Sequence, residues 1–195
     1  MRNVWVTTDV VTEPVSSVEA KNFCKVTGTG DDDLFTMLIK AAREEYEQEC
    51  GISLGEKTLT AEWDRIPNNG VFELPYGPVK SISSVTLKYE DSTEADTTLV
   101  LNDDYYVTKL PWPELRISYL SSWTRTRVRV VYVVGYGATG CPPLPYQLKI
   151  AMLKDILTQY DNRENINIGN LTTTLSNAGK IIARPYRRNY GFTEA

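Results

Sequence analysis

The chain of 195 residues contains no histidine. That absence removes Ser-His-Asp and Cys-His nucleophile systems, HExxH zinc sites and Cys₂His₂ fingers together. An enzyme built on this chain would have to work with carboxylates, lysine or tyrosine. Cysteine is scarce too. Cys24, Cys50 and Cys141 are an odd, widely spaced set, too few for a four-thiolate zinc site. They suit reduced, mostly buried thiols in a cytoplasmic compartment better than a disulfide framework. No apolar run approaches the ~18 residues of a membrane span, so no membrane partner is expected. The opening Met1-Arg2-Asn3-Val4-Trp5-Val6-Thr7-Thr8-Asp9 lacks the continuous apolar stretch of a secretory signal. No cofactor, no metal and no enzymatic activity are expected.

What is present is an ordinary globular composition. Hydrophobic residues make up 42% and charged residues 24%, enough for one large domain or two small ones with a real core. The net charge of −4 is unevenly spread. From residue 165 onward Lys180, Arg184, Arg187 and Arg188 stand against Glu194 alone, a net +3, which leaves −7 on the first 164 residues. An acidic body with a basic end suggests that the end docks on an acidic protein groove or a nucleic acid, against the plainer reading of a frayed, soluble terminus.

The strongest local pattern runs from Asp31 to Gly51. Leu34, Leu38, Ala42 and Tyr46 recur at i+4, with Phe35, Ile39 and Cys50 beside them, which predicts an amphipathic helix. Asp31 is expected to cap it, Asp32 and Asp33 to favour its dipole, and Gly51 to end it. Arg43, Glu44, Glu47 and Gln48 are assigned to the solvent face. A second long helix is predicted from Leu144 to about Arg163, with Leu148, Met152, Leu153, Ile156, Leu157 and Tyr160 on its apolar face. Pro142, Pro143 and Pro145 stand before it and in its first turn, where proline is tolerated. A shorter helix is expected over Val18–Val26, capped by Ser16 or Ser17.

Between the long helices lies a β-rich block. Alternation predicts strands at Lys57–Arg65, Val71–Leu74, Val79–Glu90, Thr98–Leu101, Tyr105–Lys109, Leu115–Tyr119 and Arg127–Val134, separated by turns such as Pro67-Asn68-Asn69-Gly70. In the last of these, Val128, Val130, Tyr132 and Val134 should face one way and Arg127 and Arg129 the other. The predicted class is α+β: a helical bundle from the N- and C-terminal segments with an inserted antiparallel β-sandwich or open barrel. The expected boundaries are 1–54 with 141–168 for the bundle, 55–140 for the β insertion and 169–195 for an extended C-terminal docking tail.

Several motifs invite chemistry and are better explained without it. Gly135-Tyr136-Gly137-Ala138-Thr139-Gly140 matches G-x-G-x-x-G after a strand, but Cys141-Pro142-Pro143-Leu144-Pro145 intervenes before any helix. No helix N-terminus is therefore available for a pyrophosphate, and the stretch reads as a loop. Asp31-Asp32-Asp33 lacks the alternating ligand spacing of a calcium loop. Asp103-Asp104 and Glu44-Glu45 are adjacent acids of the usual solvated kind. Four tryptophans and twelve tyrosines suit β cores and subunit interfaces more often than sugar platforms. Arg125, Arg127 and Arg129 could meet phosphate, or simply be the wet face of a sheet.

The order of these pieces resembles one family. Thr12-Glu13-Pro14-Val15-Ser16-Ser17-Val18-Glu19-Ala20-Lys21 is similar to the opening helix of the head–tail connector (adaptor, head-completion) proteins of tailed bacteriophages. Asp31-Asp32-Asp33-Leu34 running into Ile39-Lys40-Ala41-Ala42-Arg43-Glu44 resembles that family's second helix. The likeness continues through Leu74 to Ile82, Val130 to Gly137, Pro142 to Lys149, Tyr160 to Glu164 and the closing Pro185-Tyr186-Arg187-Arg188. It implies a structural virion protein in a ring, twelvefold in the particle, docked beneath the portal protein at the neck between capsid and tail and assembled in the bacterial host cytoplasm. Such a ring would extend the channel for genome packaging and ejection and carry the next neck or tail protein, with duplex DNA passing without sequence-specific binding. On that reading Lys180, Arg184, Pro185, Tyr186, Arg187 and Arg188 dock on the portal, with Tyr190 as a further anchor. Lys40, Arg43, Glu44 and Glu47 meet neighbouring subunits. The rivals are a tail-completion or other neck component, and a DNA-binding module using the arginine strand and basic tail.

Overall fold

A computed structural model describes residues 2–67, 69–89, 95–108, 112–117, 126–161 and 177–188. The protein is α+β, with two compact units. One comprises Met1–Val11 and Gly55–Pro142, the other Thr12–Leu54 and Pro143–Ala195.

The first unit holds β1 (Arg2–Thr8), β2 (Lys57–Trp63), β3 (Val71–Glu73), β4 (Val79–Tyr89), β5 (Thr97–Thr98), β6 (Tyr105–Val107), β7 (Glu114–Ile117) and β8 (Thr126–Val134). The ladders between these strands are antiparallel and build two sheets, ordered β1-β2-β8-β4-β5 and β3-β7-β6. Among the described residues there is no closed barrel. Strand β8 sits at the middle of the larger sheet because Val128, Val130, Tyr132 and Val134 are all fully buried. Their alternation with Arg127 and Arg129 puts one apolar side of β8 into the core. That core is a single cluster fed by both sheets: Leu59, Ala61, Val85 and Leu87 join Phe72, Tyr105, Leu115 and Ile117. Trp63 meets Phe72 edge to face, with ring centroids 5.1 Å apart.

The first eleven residues, expected with the helices, belong instead to the β unit. Alternating β-prone residues let Arg2–Thr8 extend the sheet beside β2, from Arg2 opposite Trp63 onward. Gly70 donates its N–H to the Pro67 carbonyl at 2.8 Å, closing the turn before β3. Arg125, the ends of the strands predicted to reach Glu90, Lys109 and Tyr119, the end of the helix predicted to reach Arg163, and Tyr190 lie outside the described residues.

The second unit holds α1 (Ser17–Phe23), α2 (Asp32–Cys50), α3 (Tyr146–Asp161) and α4 (Asn177–Ala183), followed by a 3₁₀ turn at Arg184–Tyr186. Helix α1 starts with a capping box. The Ser16 hydroxyl accepts from the Glu19 N–H, and the Glu19 carboxylate accepts from the Ser16 N–H. Helix α2 ends at Gly51 in the left-handed conformation, φ 65°. Its start differs from expectation. Asp31 occupies the cap position without a side-chain cap bond, and its carboxylate accepts instead from the Tyr160 hydroxyl of α3 at 2.7 Å. Phe35 stacks on Tyr160 with centroids 4.9 Å apart, so the two long helices pack on each other as the periodicity required.

Two residues assigned to the wet face of α2 are in fact interior. Arg43 is 1% exposed and Glu47 3%. They continue the i+4 row begun by Phe35 and Ile39, which turns inward along its whole length. Burial is possible because the charges are matched. Arg43 bonds Glu13 at 2.9 Å and Glu47 at 3.1 Å. Glu47 also accepts from the Leu54 N–H at 2.9 Å and from the Ser53 hydroxyl. The assignment of Arg43 and Glu47 to an exposed contact face is therefore corrected. Lys40 and Glu44 are exposed, 4.0 Å apart.

Candidate docking site at the C-terminal segment

Within the segment expected to dock, a turn or two of helix is expected over Ala178–Ala183; Asn177–Ala183 form α4 and Arg184–Tyr186 a 3₁₀ turn, with α4 packed on α2 and α3. The seat is made by a glycine. A Cβ on Gly179 would lie 2.0 Å from the Tyr46 hydroxyl, 2.7 Å from Asp155 Oδ1 and 3.0 Å from the Ala151 carbonyl. Only a residue without a side chain lets α4 approach this closely. Behind it, Tyr46 donates to Asp155 Oδ2 at 2.5 Å, both side chains buried. Burial raises the pKa of each, and the neighbouring carboxylate raises that of Tyr46 further. The tyrosine therefore holds its proton and acts as a donor. One turn on, Ala183 is 1% exposed and covers Cys50, whose Sγ lies 3.8 Å from the Ala183 carbonyl. Burial, reinforced by Glu49 and opposed by Arg187, pushes the Cys50 thiol up to about 11. It is an inert packing group at neutral pH.

The six residues expected to dock all lie on this segment. Lys180 pairs with Glu45 at 2.8 Å and lies 4.0 Å from Glu49; its bond to Glu45 raises its pKa. Arg187 pairs with Glu49 at 2.9 Å and donates to the Glu49 carbonyl at 3.2 Å. The Arg188 N–H donates to the Cys50 carbonyl at 2.7 Å. Tyr186 is hydrogen-bonded through its hydroxyl to Gln147. Arg184 and Pro185 are exposed, and Arg184 has no ion-pair partner among the described residues. A groove of about 290 Å³ runs along this surface, lined by Glu49, Cys50, Lys180, Ile181, Arg184 and Arg187.

Sequence reasoning missed the counter-ions of this site. Glu45 and Glu49 stand at i and i+4 on α2, so both carboxylates reach one side of the helix. That spacing is the signal that could have found them. It also overlooked Gly179 as a packing position. The arginine strand is neutralised in a similar way: Arg129 pairs with Glu62 at 2.8 Å, and Arg127 lies 3.9 Å from the same carboxylate. The Gly135–Gly140 stretch is a loop of turns. Gly135 is required there because a Cβ would meet the Gly55 carbonyl oxygen at 2.1 Å, a reason of packing rather than of phosphate binding. All three cysteines are free. Among the described residues no cluster of three or more acids and cysteines is arranged for a metal, and no helix is long and apolar enough to cross a membrane.

Fold and site together define a two-unit α+β protein whose charges are arranged for contact: paired within the chain, with a basic rim left on one segment. Residues 18–110, just under half of the chain, match the family model described as phage gp6-like head-tail connector protein. No curated protein matches the sequence. Among solved structures, the chain is similar to one from the neck of an empty GTA particle computed with C6 symmetry, with 16% identity, 95% of each chain covered and a TM-score of 0.72. A chain of the virion of a native gene transfer agent particle gives 15% identity, 94% of each chain and 0.72. One from the neck of a native GTA particle computed with C12 symmetry gives 16% identity, 95% of this chain, 94% of that chain and 0.65. The fold is thus shared over nearly the whole length of each.

Proposed function

We propose that this protein is a structural neck component, a head–tail adaptor that forms a ring beneath the portal of a virus-like particle. The observation that carries this reading is the full-length fold similarity to chains of GTA necks, joined to the connector-family match over residues 18–110. A ring follows physically when one surface of a subunit meets a different surface of the next and the rotation closes. The C12 symmetry of one similar neck favours twelve copies. The ring extends the DNA channel and presents a platform to the next neck or tail protein. A net charge of −4 disfavours tight non-specific binding of the passing duplex.

The docking surface on the portal side is the C-terminal segment, through Lys180, Arg184, Tyr186, Arg187 and Arg188. Lys40 and Glu44 are the exposed pair offered to a neighbouring subunit. The test is co-sedimentation of the full chain with isolated portal rings, with no tail protein present. Wild type should co-sediment, and a chain carrying both Arg184→Glu and Arg187→Glu should stay in the supernatant while keeping its far-ultraviolet circular dichroism. Normal attachment of that double variant would refute the docking surface. Failure of wild type to bind portal, with attachment to tail protein alone, would identify a tail-completion component instead.

A further inference from the structure

Glu49 holds a position that a second molecule's carboxylate would fit. One of its oxygens bonds Arg187 at 2.9 Å and the other faces Lys180 at 4.0 Å. All three side chains are reachable from solvent, with 26% of Glu49, 38% of Lys180 and 49% of Arg187 exposed. On the same groove Arg184 has no ionic partner among the described residues. Lys180 and Arg187 thus answer Glu45 and Glu49, and the Arg184 guanidinium on the groove wall is left without an ionic partner among the described residues. Ile181 is 66% exposed at the edge and supplies an apolar surface for the stem of a side chain.

We propose that this groove binds an acidic side chain from a protein segment, and that Glu49 is the internal stand-in for that carboxylate. The inference rests on the docking role of residues 177–188 and names the chemistry that the site recognises. An incoming glutamate or aspartate takes Arg184 first, because that cation has no ion pair to lose among the described residues. It then exchanges with Glu49 for Arg187, one carboxylate for another, so little net charge has to be desolvated. Nucleic acid fits less well. A run of phosphates would pass Glu45 and Glu49 as well as the cations, and a groove of about 290 Å³ holds a side chain rather than a duplex.

The experiment measures fluorescence anisotropy of a labelled oligoglutamate peptide with the full-length protein at low ionic strength. Arg184→Ala removes a residue that forms no ion pair within the described chain, so the fold is retained and the expected result is roughly three- to tenfold weaker binding. Glu49→Gln vacates the site and should bind the peptide tighter by a similar factor. Added salt should weaken both. Unchanged affinity in Arg184→Ala, or duplex DNA displacing the peptide as well as unlabelled peptide does, would overturn the proposal. So would a Glu49→Gln chain that binds no tighter than wild type. No peptide binding, together with loss of portal attachment in the Arg184→Glu, Arg187→Glu chain, would overturn the groove assignment and leave the docking role standing.

Discussion

Tyr46 donates a hydrogen bond to Asp155 where both side chains are buried, and Gly179 closes the space behind them. A methyl group there has nowhere to go. Gly179→Ala is expected to lower stability by about 1–3 kcal/mol, the usual cost of overpacking, and thermal unfolding followed by circular dichroism measures it. Glu19 carries a different kind of prediction. The bond to Lys149, with the Ser16 N–H, holds its pKa down at about 2 against an ordinary 4.5. A lowered carboxylate pKa contributes stability that is present above the unfolded value and lost as pH falls through the folded one. Glu19→Gln should therefore be less stable than wild type at neutral pH, with the difference shrinking from about pH 4.5 and gone near pH 2. Urea titrations at several pH values test this. A constant difference down to pH 2 would remove Glu19 from the account. Glu47 belongs to the interior: replacing it with Ala leaves Arg43 with Glu13 but removes its second carboxylate and orphans the Leu54 N–H, a loss of about 1–3 kcal/mol by the same unfolding assay. At this scale the sequence was least legible. The pairing of Arg43 with Glu13 spans thirty residues, and no local pattern announces a charge that will be neutralised from so far away.

Helix α2 is the element to which the rest of the second unit is fastened. Its first turn meets α3 through Asp31 and Phe35, and its middle carries the buried arginine. Its last turns receive the C-terminal segment through Tyr46, Glu49 and Cys50. Periodicity revealed α2, α3 and β8 well, because each has a long apolar row that only one packing satisfies. A serine cap for α1 was equally plain, but the choice between Ser16 and Ser17 was not, and Ser16 takes it. The seat of the C-terminal segment was not legible: its basic residues suggested docking on another molecule, and Gly179, Ala183 and the acidic row Glu45–Glu49 also give it a berth within the chain. That berth has a chemical reporter. In a Cys24→Ser, Cys141→Ser background Cys50 should react slowly with a thiol reagent while α4 is seated, and far faster once Gly179→Ala lifts it. Equal rates in the two chains would mean that Ala183 does not cover Cys50 in solution. Strand β1 shows the reverse limit of pattern reading: its β-prone residues were visible, but which sheet they would join was not, since pairing with β2 is a long-range choice.

At the scale of the whole molecule, what stands out is how little is left over for chemistry. Histidine is absent, the described cysteines are free and the buried one is held protonated. The charged rows that might have suggested substrate binding are largely occupied by partners in the same chain. The proposed neck role asks for surfaces of this kind, and the connector-family match over residues 18–110 and the fold similarity to chains of GTA necks are what support it. The α+β class was readable from the spacing of long helices around a block of strands. The two-sheet order was not, because it depends on pairings such as β2 with β8 that join distant residues. Electron microscopy of the full-length protein mixed with its portal is the most direct measurement. The account predicts a closed ring of this chain stacked coaxially on the portal, with Arg184 and Arg187 at the junction. Particles showing bare portal beside lone subunits would contradict it.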